Sequence, residues 1–267
     1  MKLSISNLAW DASLDNKMYQ TLNEYGFHGL EIAPTHIFPQ QPYSHLQQAH
    51  EWSVSLAERF GLAVPSMQSI WFGRTEKLFA DGQQRQLLLE YSKQAVDFAQ
   101  AVGCGNLVFG SPKNRCVNSD DDYQRGVEFF TQLADYAQAH GTVIGLEANP
   151  EIYNTNYITT TKQALELIKL VDREGLRLNL DAGTMIANNE PAETLAGSVR
   201  LINHVHFSEP FLRPLTERGI HAEILRVLRS EGYDGYVSIE MGKLDSTDDI
   251  LDIMRYLRKL AETEGIL

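Results

Sequence analysis

Four residues able to bind a divalent cation each close a short apolar run in the second half of the chain. They are Glu147, Asp181, His206 and Glu240, ending VIGLE, LRLNLD, INHVH and YVSIE. Successive members lie 34, 25 and 34 residues apart, near the roughly 30 residues that one strand–helix–strand unit occupies. Each therefore reads as the end of a successive parallel strand. A closed barrel of parallel strands gathers such ends at one mouth, where its chemistry is done. Singly, a strand-end carboxylate is an ordinary salt-bridging or capping residue, and a lone histidine is usually structural. Four in succession are different, because charged groups are rarely buried unless paired or bound to a metal. Three carboxylates with one imidazole suit Mn²⁺ or Mg²⁺ and would accept Co²⁺ or Zn²⁺. One ion, with Mn²⁺ expected first, would then be shared by all four.

The elements that must position these residues follow from hydrophobic period. Strands are expected near 2–6, 28–32, 63–67, 106–109, 143–147, 176–180, 203–207 and 236–240. Helices are expected near 14–25, 44–60, 82–102, 120–140, 160–172, 192–199, 217–231 and 246–263. In 82–102, Leu87, Leu88, Tyr91, Ala95, Phe98, Ala99 and Val102 recur at three- and four-residue steps and paint one apolar face. Helix, glycine, strand is a repeated join, as in RFGLAV, AHGTVIGLE and REGLRLNL. No linker or low-complexity segment interrupts the pattern, so residues 1–267 read as one (β/α)8 barrel domain. A doubly wound sheet would carry a glycine-rich phosphate turn after its first strand; SNLAWDASLD stands there instead.

A formal net charge of −12 argues against nucleic-acid partners, which need a positive footprint. The start MKLSISNLAWDASLDNK lacks a signal-peptide core, and no stretch reaches the ~20 apolar residues of a membrane helix. A cytoplasmic enzyme without membrane partners is the expectation. Cys104 and Cys116 are the only cysteines, too few for a disulfide framework.

Other predicted strand ends carry residues that would shape a pocket. Glu31 and His36 follow the second strand, Gln68 and Trp71 the third, and Ser111, Lys113 and Arg115 the fourth. Trp10 and Trp71 would give a sugar an aromatic wall or simply pack in the core. Lys113 and Arg115 would read a substrate phosphate, although solvent-exposed loop charge is the plainer meaning. Asn149 and Asn179 adjoin the ligand candidates and would support them. His221 starts a helix, facing either the site or solvent.

With LEANP, NLDAGTM, NHVHFSEP and GYDGYVSIE in place, the chain resembles the xylose-isomerase-like superfamily of TIM-barrel sugar isomerases and epimerases. Its motif layout is most similar to the branch of ketose 3-epimerases, hydroxypyruvate isomerases and inosose-processing enzymes. The resemblance implies that Glu147, Asp181, His206 and Glu240 are metal ligands, and that Glu147 and Glu240 are also the acid/base pair. Substrate contacts are expected from Trp10, Gln68, Trp71, Thr184 and Glu209, and the resemblance adds Arg213, near the arginine that binds substrate hydroxyls in some epimerases. Thr184 stands where many relatives have a histidine, and a hydroxyl cannot carry its positive charge. The implied substrate is a small sugar, sugar phosphate or cyclitol, and such barrels often pair into homo-oligomers. An inosose-type dehydratase would use the same first proton abstraction; a catalytically silent carbohydrate-binding barrel is the reading outside enzymology. The same barrel in abasic-DNA endonucleases needs extra histidines, where this chain has Gln68, the Phe109–Gly110–Ser111 stretch and Thr184.

Overall fold

Polar Ser4 and Ser6 alternate with apolar Leu3 and Ile5 in the first strand, β1 (Lys2–Ser6), which is buried beyond its first residue. In the computed structural model, which describes residues 1–267, this unit opens a long alternation. There follow α1 (Asp15–Glu24), β2 (Phe27–Glu31), α2 (Pro34–Ile37), α3 (Leu46–Phe60), α4 (Gly82–Val102), β3 (Leu107–Phe109) and α5 (Asp121–Ala139). The second half holds β4 (Ile144–Leu146), α6 (Thr161–Val171), β5 (Leu176–Asp181), α7 (Ala182–Asn188), β6 (Ile202–Ser208), α8 (Gly219–Ser230), β7 (Tyr236–Glu240) and α9 (Thr247–Thr263). The strands pair in parallel, in the order β2-β1-β7-β6-β5-β4-β3.

The expected strand at 63–67 takes its place between β2 and β3 but forms only single bridges, not a ladder. Ala63 and Ser66 accept from Leu30 and Ile32, while Met67 donates to Asn106 and accepts from Val108. Pro65, lacking an N–H, interrupts the pairing. Seven strands and this extended segment thus complete the expected α/β barrel. The helix expected at 192–199 is absent: the region forms two 3-10 turns, Ala192–Leu195 and Val199–Leu201. The helix of that unit is α7, which begins directly after Asp181.

Apolar residues facing outward from the strands pack under the helices in one continuous cluster. The lumen is different. Barrel interiors are usually filled by Val, Ile and Leu, but here Ser4, Ser6, Glu31, Ser66, Asn106, Asn179, His204, His206 and Ser238 are buried. Contacts between Glu31 on β2 and both His204 and His206 on β6 cross this interior, since β1 and β7 lie between those strands. Such a polar core is tolerable only when its groups are paired. No helix is long and apolar enough to cross a membrane.

Candidate metal centre and active site

Side chains alternate along a strand, so His204, His206 and Ser208 of β6 share one face. His206 Nδ1 lies 3.2 Å from Glu147 Oε1 and 3.2 Å from Glu240 Oε2. These three donor atoms all lie within 4.8 Å of one another. On the other side of the ring, His206 Nε2 is 2.8 Å from Glu31 Oε2. A carboxylate there favours a proton on Nε2 and leaves the Nδ1 lone pair toward Glu147 and Glu240, the arrangement of an imidazole that ligates a metal.

The charges around this imidazole are unbalanced. Burial opposes the imidazolium, yet Glu31 and Glu240 raise the His206 pKa well above 6.5. Burial also works to raise the Glu31 carboxyl, but His206 and His204 overcome it and hold Glu31 well below the usual carboxylate range. Glu240 is pushed up by burial, with His206 opposing. Asp181 is pushed up by burial and by Glu147, with His206, Ser208 and Thr184 opposing. Four buried or half-buried carboxylates surround one histidine, and a divalent cation held by Glu147, His206 and Glu240 would balance their charge.

Asp181 lines the same cavity but stands apart from the three-atom group. Its Oδ1 accepts from Gly183 N at 3.2 Å and from the Ser208 hydroxyl. Its Oδ2 accepts from Thr184 N at 2.9 Å and Thr184 Oγ1 at 2.8 Å. Asp181 is therefore also the N-cap of α7, and its roughly four lone-pair directions are engaged. Rotation of the Ser208 hydroxyl would free one of them for a cation.

Glu147 is held at both oxygens: Asn179 Nδ2 donates to Oε1 and Asn149 Nδ2 to Oε2, each at 3.0 Å. Behind them the fully buried Arg115 donates to Glu147 O and Asn149 Oδ1, both at 2.6 Å. Gly110 supplies the room: a Cβ there would stand 2.7 Å from Glu147 Oε2.

These residues open onto a cavity of about 620 Å³ whose walls include Gln68, Trp71, Glu147, Asp181, Glu209 and Glu240. Gln68 also donates to Glu31 at 2.9 Å. Glu209 is taken up by Arg218, at 2.6 and 2.7 Å, and by Thr216. Thr184 is buried on Asp181 and Ala148 O rather than on the cavity wall. Two residues of the expected substrate set lie elsewhere. Trp10 is buried with its indole N–H on Asp15 at 2.8 Å, and Arg213 is exposed, its guanidinium 5.8 Å from the Phe211 ring centre. His221 faces neither the cavity nor solvent; it is buried against Phe207 and Tyr256. Tyr153 and Ser208 also line the cavity, as do Arg74 and Lys77 of the RTEKLFADG loop, a loop whose sequence placed it near the mouth without assigning either residue a role. For Ser208 the two-residue period of β6 was a usable signal; the others sit on irregular loops and gave none.

Against known structures, the chain superposes on the 3-keto-D-glucoside 4-epimerase of E. coli with a TM-score of 0.75, at 20% identity over 98% of this chain and 99% of that one. For the D-psicose 3-epimerase of Clostridium cellulolyticum the TM-score is 0.76, at 18% identity over 99% and 98%. For the IOLI protein, solved with a bound zinc atom, it is 0.70, at 17% identity over 100% and 97%. At such identities the likeness is one of fold. An uncharacterized protein of Methanocaldococcus jannaschii is 29% identical over 151 residues, so the match spans about half of either chain. The model of the xylose isomerase-like TIM barrel family matches residues 19–260, and the chain belongs to that family.

Proposed function

We propose that this protein is a divalent-metal-dependent sugar isomerase or epimerase that moves a proton on a carbon next to a carbonyl. The observation that carries this reading is the His206 imidazole, clasped on one nitrogen by Glu31 and facing Glu147 and Glu240 with the other. Structural neighbours that are sugar epimerases, and one that binds zinc, support it. Held by Glu147, His206 and Glu240, with Asp181 completing the set, a divalent ion would supply Lewis acidity to the substrate's carbonyl and adjacent hydroxyl oxygens. Mn²⁺ suits this carboxylate-rich set.

The chain's own groups do the rest. Glu147, fixed at both oxygens by Asn149 and Asn179, takes the proton from carbon. β4 and β7 are separated by β5 and β6, so Glu240, protonated at the outset, approaches from another side and gives its own proton to the carbon, after which exchange with solvent resets the two carboxyls. Delivery to the opposite face of the same carbon inverts a stereocentre; delivery to the neighbouring carbon interconverts aldose and ketose. Positioned acid–base groups of this kind contribute about 10²–10⁴-fold.

The test is Glu147→Gln in the Mn²⁺-loaded protein, with sugars screened for turnover and for uptake of deuterium from solvent. The expected result is turnover and labelling by the wild type and loss of both in the variant at unchanged Tm. Full activity in the variant, or a wild type that binds sugars without labelling them, refutes the proposal.

A further inference from the structure

Arg115 is the only lysine or arginine among the buried residues. The loop after β3 carries it inward. Ser111 takes a left-handed φ of 50° and Pro112 opens a 3-10 turn, Pro112–Asn114, after which Thr155 Oγ1 donates to Arg115 O at 2.8 Å. The guanidinium then meets a carbonyl and an amide oxygen, Glu147 O and Asn149 Oδ1, rather than a carboxylate. Both contacts come from Nη2, while Nε and Nη1 are buried without a partner. A buried cation with no paired anion is costly, and an apolar side chain would fill the same space at less expense in desolvation. Burial draws its pKa down to about 10, with Glu147 the leading group opposing, so the charge is retained at neutral pH.

What the cation touches decides which way Asn149 faces. An amide can offer a neighbour its oxygen or its nitrogen, but a guanidinium only donates. With Arg115 on Oδ1, Nδ2 is left to Glu147 Oε2, at 3.0 Å. Turned over, the amide would set an oxygen against the carboxylate. The Asn149 main chain is fixed separately, its N–H on Ile158 O at 3.1 Å, so the cation acts on the side chain alone. A positive charge behind the amide also polarises it and strengthens its bond to the carboxylate. We propose that Arg115 is a positioning residue for the proton transfer: acting through Asn149, it holds the Glu147 carboxylate toward the reacting carbon. This rests on the proposed isomerase or epimerase reading, in which Glu147 is the base.

The experiment is a double-mutant cycle of Arg115→Met and Asn149→Ala in the Mn²⁺-loaded protein, read as kcat and KM on a sugar that takes up solvent deuterium. Each single variant is expected to lose about 10–100-fold in kcat, the usual worth of a group that orients a ligating side chain, with KM within about twofold. Arg115→Met added to Asn149→Ala should cost less than about threefold more, because the amide it acts through is already gone. Equal losses in the two backgrounds would make Arg115 a packing residue and overturn the assignment, as would an unchanged kcat or a loss confined to KM. Should Arg115→Met fail to fold, Arg115→Lys runs the same cycle, since an ammonium is a point charge without the planar fork. A loss in kcat is then expected beside Asn149 and none in the Asn149→Ala background; a loss in both, or in neither, overturns the assignment. Should no sugar be labelled, the isomerase reading fails, and the Mn²⁺ Kd becomes the readout. It is expected to rise about tenfold or more in Arg115→Met, and no further when Arg115→Met is added to Asn149→Ala. A Kd unmoved by Arg115→Met, one moved alike in both backgrounds, or a protein that binds no Mn²⁺ overturns the positioning role as well.

Discussion

The two halves of the barrel contribute unlike things to the same mouth. From β4 to β7, the strand ends themselves present Glu147, Asp181, His206 and Glu240 toward one cavity. From β1 to β3, the polar groups nearest the strand ends that line that cavity are Gln68 and Ser111, and neither carries a charge. Instead Glu31 reaches across the lumen to hold His206 from behind, while the loops at 68–77 and 110–114 build a basic wall. Residues that would react sit on hydrogen-bonded strands, where position is fixed; those that would recognise a substrate sit on loops, where length and charge vary at little cost to the fold.

Breaking the reactive half should have the largest effect. Glu240→Gln removes one member of the acid/base pair and a ligand together, and we expect a loss in kcat of about 10²–10⁴-fold at near-normal Tm. A variant that keeps more than a tenth of wild-type activity would move Glu240 out of the chemistry.

Next comes an effect on stability within that half. His221 of α8 stacks on Phe207, the residue after His206, and its Nδ1 is 2.8 Å from the Tyr256 hydroxyl. Burial lowers its pKa from 6.5 to about 4, with Glu209 opposing and Arg218 assisting. The unfolded chain therefore takes up a proton that the folded one refuses, so stability falls as pH drops through 6.5 toward 4 and is unaffected above that window. The loss is about 3 kcal/mol for this group. Denaturation at pH 7 and pH 4.5 should show a steeper acid loss in the wild type than in His221→Asn; equal slopes would exclude His221 as the cause.

Glu31→Gln tests the supporting half. A carboxylate behind a ligating imidazole typically changes metal affinity or activity by about 10–100-fold, and a loss in Mn²⁺ affinity of that size is expected. Unaltered affinity would reduce Glu31 to a structural residue. Smallest should be Gly110→Ala, whose methyl would stand 2.7 Å from Glu147 Oε2. A displaced carboxylate should reduce kcat about tenfold with little change in Tm, and an unchanged kcat would show that Glu147 has room to spare.

The unequal halves also explain what the sequence disclosed. The reactive residues were readable because each ends an apolar run and the runs are spaced by whole βα units. Glu31 could be placed at a strand end, but its hold on a histidine 175 positions away belongs to barrel closure, which one sequence does not encode as a local pattern. The strand expected at 63–67 has the right location without a ladder because Pro65 removes a donor. α7 escaped notice because it is a seven-residue helix capped by Asp181, a residue already given another role. The apolar positions of 192–199 mimic a helical period in what are turns. Trp10 took the alternative of packing in the core, its indole N–H spent on Asp15, and Arg213 shows the limit of carrying a role by position, since it follows two left-handed residues, Phe211 and Leu212, and lies over the Phe211 ring.

A crystal of the protein grown with Mn²⁺, measured for anomalous scattering, addresses the centre of this reading without any knowledge of the substrate. One peak is expected, coordinated by His206 Nδ1, Glu147, Glu240 and Asp181 at about 2.0–2.3 Å, with His206 Nε2 still on Glu31 and the Ser208 hydroxyl turned from Asp181. A peak elsewhere, or no peak at saturating Mn²⁺ with those four side chains left as they are, would contradict it.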